Sequence, residues 1–98
     1  MLEREYQSKL IKRLKAVFRG CKVFKTDPTQ RQGNPDLIIL YRSKWAALEV
    51  KRDPTAPLRP NQKYRIDELN DMGGFASFIN PATEDDVLKE LRFYFRRC

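Results

Sequence analysis

The chain has 98 residues, which leaves room for one domain with one modest core and excludes a second. Its 20 Lys and Arg outweigh 13 Asp and Glu by a net charge of +7, a field that attracts polyanions. Histidine is absent, which removes histidine general bases, Ser-His triads and histidine metal ligands in one step.

Residues 2–19 have the spacing of an amphipathic helix. Leu2, Tyr6, Leu10, Ile11, Leu14, Val17 and Phe18 fall on one broad stripe, Lys and Arg fill the rest, and Gly20 is a natural stop. Lys22 to Lys25 forms a short strand around Val23 and Phe24. Residues 26–35, TDPTQRQGNP, are turn formers throughout and read as a polar loop. Asp36 to Tyr41 and Trp45 to Lys51 are two apolar runs, and Arg42-Ser43-Lys44 between them is short enough for an antiparallel hairpin. The Pro-rich stretch 52–58 breaks the pattern, Pro60 opens a helix running to about Met72, and Gly73-Gly74 ends it. Phe75 to Ile79 alternates as a strand, and the strand–helix–strand passage implies a parallel crossover onto the same sheet. Thr83 with Asp86 has the spacing of a capping box for a final helix ending at Arg96-Arg97. The order is α-β-β-β-α-β-α, an α/β fold in a single domain over residues 1–98.

Chemistry concentrates in the hairpin. Glu49 and Lys51 are two apart on a strand and so share a face, and folding about Ser43 brings Asp36 opposite a residue near 50. Two carboxylates and an ammonium at one sheet end suit phosphodiester hydrolysis. The carboxylates are hard ligands for Mg2+, which polarises a phosphoryl group and activates water, and Lys51 can orient the water and balance charge. A surface salt-bridge cluster would use the same residue types. On the N-terminal helix, with Leu10 at zero, Glu3 falls at about 20° and Glu5 at about 140°. Gln7 shares the inner face. A carboxylate on the apolar stripe costs free energy unless paired or metal-bound, although a place in the first turn also suits the helix dipole.

These residues resemble a known pattern. Gly33-Asn34-Pro35-Asp36-Leu37-Ile38 followed by Leu48-Glu49-Val50-Lys51 looks like the PD-(D/E)XK nuclease superfamily. With Glu3 and Gln7 as Glu-x-x-x-Gln and Pro60-Asn61-Gln62 as P-x-Q, the chain resembles the VRR-NUC family, the viral-type replication and repair nucleases, over most of its length. Asn34 stands where an apolar residue usually precedes Pro-Asp. The resemblance implies a restriction-endonuclease-like αβββαβ core, a mixed sheet flanked by helices. It implies Mg2+ or Mn2+ held by Asp36, Glu49 and the carbonyl of Val50. It also implies Lys51 as the water-activating residue, Glu3 as a carboxylate just outside the metal's own ligands, and Gln62 as a positioning group. A helix N-terminus would accept a polar residue at position 62 in any case.

The expected function is a Mg2+-dependent DNA endonuclease, selective for branched DNA such as four-way junctions through shape rather than base reading. The alternative is a non-catalytic nucleic-acid-binding module that keeps the fold. Lys25, Arg31, Lys44, Arg52, Arg59 and Lys63 are candidate phosphate contacts. Trp45 and Phe75 read as core. The resemblance of so short a chain to phage members implies a homodimer, with no nucleotide cofactor. Cys21 and Cys98 read as free thiols of a reducing compartment, and neither a signal peptide nor a transmembrane run is evident, so the cytoplasm of a bacterial host is the expected location.

Overall fold

A computed structural model describes residues 2–26, 35–51, 55 and 60–96. The elements are α1 (Glu3–Val17), β1 (Lys22–Lys25), β2 (Leu37–Tyr41), β3 (Lys44–Val50), α2 (Pro60–Asp71), β4 (Phe75–Ile79) and α3 (Glu84–Arg96). This is the α/β order expected from the pattern. The four strands form one mixed sheet in the order β1-β2-β3-β4, antiparallel except for the parallel β3–β4 pair that α2 connects.

Strand alternation sorts the side chains into two layers. Leu37 and Ile39 of β2 with Ala46, Leu48 and Val50 of β3 pack under Leu10 and Leu14 of α1 and Leu91 and Phe95 of α3. Leu10 and Leu14 are 1% and 0% exposed, and burial of each contributes roughly 1.5–3 kcal/mol. The opposite face is thinner. There Ala47 and Ala76 meet Ile66 of α2, with Trp45 and Phe78 packed alongside. The alternation that sends Leu48 and Val50 to the thick layer sends Glu49 to the α2 side.

Two local expectations need correction. The hairpin turn has two residues, not three: Tyr41 pairs with Lys44, and Arg42 and Ser43 both take positive φ, 52° and 67°. That is the primed turn geometry that matches strand twist. The capping box does not form, because the Thr83 hydroxyl turns back to accept from the Asn80 amide at 3.1 Å. The Asn80 carboxamide oxygen instead accepts from the Ala82 and Thr83 amides at 2.8 and 2.9 Å, an Asx turn leading into α3.

Gly73 and Gly74 do different work. Gly73 ends α2 with φ +90°, a conformation that costs a side-chain-bearing residue. Gly74 lies against the Trp45 indole, and a Cβ there would come within 2.2 Å of the ring. Among the described residues, no helix is long and apolar enough to cross a membrane.

Candidate metal and phosphodiester site

The β2–β3 register decides the site. Leu37 pairs with Leu48, so the next position outward sets Asp36 opposite Glu49, one residue from the pairing expected by folding about Ser43. The shift follows from the shorter turn. It leaves Asp36, Glu49 and Lys51 together at one end of the sheet, on the α2 side. Asp36 is locked in place by the Val50 amide, which donates to its Oδ2 at 2.8 Å. The Lys51 amide extends the parallel ladder, donating to the Ile79 carbonyl at 2.8 Å.

Glu49 is 4% exposed and is the only buried charged residue among those described. Burial in this apolar setting, a hydrogen bond with the Asp36 carboxylate and the Asp36 charge hold its carboxyl far above the ordinary carboxylate range. Glu3 pushes in the same direction and Lys51 opposes it. Among the described residues, neither Asp36 nor Glu49 is in an ion pair. Two carboxyls meeting in a buried place without a cation of their own are a costly arrangement in isolation.

Lys51 Nζ donates to Gln62 Oε1 at 3.0 Å. Gln62 stands in the first turn of α2, two residues after Pro60. The bond ties the ammonium to the helix that roofs this end of the sheet.

Glu3 is exposed, the first residue of α1. Its charge nevertheless acts on Glu49. Glu5 is held differently, its Oε2 accepting from the Leu2 amide at 3.3 Å at the helix N-terminus. Sequence reasoning missed what anchors α1 here. The buried Tyr6 hydroxyl donates to Glu84 Oε1 at 2.8 Å, Arg13 pairs with Glu84 Oε2, and Arg13 also pairs with Asp85 at 2.8 Å. No local signal joins residues 78 positions apart; Tyr6 on the apolar stripe and the acidic first turn of α3 were the visible halves.

The oxygens suit a hard divalent cation. Among the described residues, no group of three or more Asp, Glu, His or Cys side chains is placed to hold a metal. Two carboxylates still match Mg2+, which is commonly bound through one or two carboxylates plus substrate phosphate and keeps several waters. The donor set therefore fits, with Asp36 and Glu49 as the side chains that would hold the ion.

The candidate phosphate contacts divide. Lys25 is exposed at the β1 end nearest Asp36. Lys44 is at the other end of the hairpin, its Nζ donating to the Tyr94 carbonyl at 2.8 Å, so it does not border the carboxylates. Lys63 pairs with Asp67 at 3.1 Å. Arg31, Arg52 and Arg59 lie outside the described residues, as does Cys98. Cys21 is a buried free thiol.

Solved structures with this architecture exist. One, described as a VRR_NUC domain, superposes with a TM-score of 0.73 at 24% identity, covering 89% of this chain and 94% of its own. The chain has the VRR_NUC fold. A second structure, a VRR_NUC domain protein, gives a TM-score of 0.71 at 20% identity over 98% of this chain and 89% of its own. No family model and no curated protein matches the chain. The VRR_NUC resemblance read from the motifs thus holds for the fold.

Proposed function

We propose that the chain is a Mg2+- or Mn2+-dependent DNA endonuclease. The observation that carries this reading is the buried Glu49 carboxyl against Asp36, in no ion pair among the described residues, at the sheet end where Lys51 also stands. A structural salt-bridge cluster would have paired these charges, and a degenerate binding module has no use for them.

When bound by Asp36 and Glu49, the divalent ion supplies phosphoryl polarisation and a water of lowered pKa. The Val50 backbone is already fixed through its amide to Asp36, which brings its carbonyl region to the same strand end. Lys51 contributes a positive charge held in one orientation by Gln62, able to donate to a water or to a non-bridging phosphate oxygen. Gln62 is a positioning residue through that bond. Glu3 adds negative potential at the edge of the site, which strengthens attraction for a cation. The overall charge of +7 draws the DNA backbone in, and Lys25 is placed to meet it near the carboxylates.

The test is incubation with linear duplex, single-stranded, flapped and four-way DNA, with and without Mg2+. Cleavage that requires the metal is expected, strongest on branched substrates. Asp36→Asn, Glu49→Gln and Lys51→Ala should each lower it at least about a hundredfold while DNA binding persists. Near wild-type cleavage by Glu49→Gln would end the proposed mechanism. Binding of every substrate without cleavage under Mg2+ or Mn2+ would favour the non-catalytic module.

A further inference from the structure

A second feature lies at the opposite end of the sheet and under the opposite layer. A cavity of about 290 Å3 opens where the β2–β3 turn meets the ends of α1 and α3. Phe18, Tyr41 and Phe95 stand at its base, packed on one another with ring centroids 5.2–5.7 Å apart. Arg42, Arg92 and Arg96 surround it.

The charge arrangement is unbalanced. All three arginines are exposed, and no acidic residue lines the cavity among the described residues. None of the three is in an ion pair among the described residues, although Arg13 finds carboxylates at the start of α3 and Arg65 finds one a turn along α2. Arg92 and Arg96 are one helical turn apart, a like-charge spacing that costs a few tenths of a kcal/mol by itself. The Arg42 guanidinium lies 5.1 Å from the Tyr41 ring centroid, which holds it over the cavity wall while its donors remain available. Guanidinium groups bind phosphate through paired N–H donors.

We propose that this cavity is a second nucleic-acid contact, a site for a backbone phosphate other than the one at the carboxylates. Along β2 the two sites are separated by five residues, about 17 Å, and they face different layers of the sheet. One phosphate cannot serve both. The cavity would instead hold a separate segment of the same DNA. The inference concerns binding alone and stands whether or not the carboxylate site is catalytic.

The test is equilibrium binding of a fluorescent 20-base-pair duplex to the full chain in EDTA, across a salt series. The double variant Arg92→Gln with Arg96→Gln is compared with Lys9→Gln with Lys12→Gln, which removes the same charge from the exposed side of α1. The arginine variant should bind about tenfold more weakly at moderate salt. Its plot of log affinity against log salt should be flatter by nearly two, and the lysine variant should shift much less. Melting curves confirm that both fold. Equal losses in the two variants would overturn the proposal, since net charge alone would then explain them. A second arm measures the melting temperature in 10–20 mM inorganic phosphate. Stabilisation of the wild type that the arginine variant lacks, with duplex affinity unchanged, would assign the cavity to a small free anion and overturn the nucleic-acid assignment.

Discussion

Glu49 is where sequence and chemistry conflict most openly. An alternating strand that sends Ala47 into the apolar α2-side layer sends a carboxylate after it. Without a cation, burial and the Asp36 charge keep the Glu49 carboxyl protonated at neutral pH, and taking up that proton on folding costs stability. Glu49→Gln removes that conflict and keeps the shape. In EDTA at neutral pH the variant should therefore melt higher than the wild type, by about 4–8 °C for each kcal/mol recovered. Saturating Mg2+ should reverse the order. A ligand at a hundred times its dissociation constant adds about 2.7 kcal/mol to the wild type, and the variant forfeits most of it. Calorimetry of both proteins with and without Mg2+ checks this, and a metal-independent wild-type melting temperature would refute a preformed metal site. Glu3 and Glu5 make a second contrast. They are two residues apart and equally acidic, but Glu3 acts on Glu49 while Glu5 caps its own helix. Glu3→Gln should slow cleavage roughly tenfold or more at limiting Mg2+, and Glu5→Gln should leave the rate within about twofold. Rates measured across a Mg2+ titration separate the two, and matching effects would show that Glu3 does not serve the site.

At the scale of elements, the Trp45–Gly74 contact seats α2 against the sheet. The indole occupies the space a Cβ at position 74 would need. Gly74→Ala gains backbone order but drives a methyl into the ring, so a net loss of about 1–3 kcal/mol is expected, read as a lower melting temperature. A neutral or higher melting temperature would mean that the indole yields freely. This contact also shows what the sequence could disclose. Gly-Gly after a helical run announced the end of α2, and Trp45 at the head of an apolar strand announced core, but nothing local joined them. The element order was legible because each run carries one clean period, 3.6 in α1 and two in β4, bounded by Pro or Gly. The hairpin register was legible only to within one residue, since Arg42-Ser43 lacks the Asn-Gly signature of a primed turn. Asp36, expected opposite a residue near 50, meets Glu49. The capping box failed for a related reason: the Asn80 carboxamide accepts from the Thr83 amide while the Thr83 hydroxyl accepts from the Asn80 amide. The Lys51–Gln62 bond was visible only through the P-x-Q resemblance. Three arginines drawn from β2's turn and α3 had no sequence signal at all.

For the molecule as a whole, the argument turns on number and symmetry. The chain carries one Asp36-Glu49-Lys51 set, hence, on the proposed function, one place to cut. A four-way junction requires two nicks on opposing strands, and a two-fold homodimer supplies two sites in that relation with no additional sequence. A chain of 98 residues also has a modest core that subunit burial would reinforce. In sequence the aromatic run Phe93-Tyr94-Phe95 is a candidate pairing surface or a contribution to the core, and in the structure its members separate. Phe95 is 3% exposed in the core, Tyr94 donates from its hydroxyl to the Trp45 carbonyl at 2.8 Å, and Phe93 is 68% exposed beside a groove lined by Gly74, Phe75 and Lys89. Of the three, Phe93 alone has its ring mostly in water, so it is the residue whose removal should separate subunits without unfolding them. We expect sedimentation at micromolar concentration to give a dimer for the wild type and a shift toward monomer for Phe93→Ser, with melting of the variant little changed at high concentration. Paired nicking of a mobile four-way junction should fall with dimerisation, while single nicks in flapped DNA persist. A wild-type monomer that prefers linear duplex would overturn the dimeric, junction-directed reading and leave the metal-dependent chemistry at Asp36 and Glu49 to be judged by its own variants.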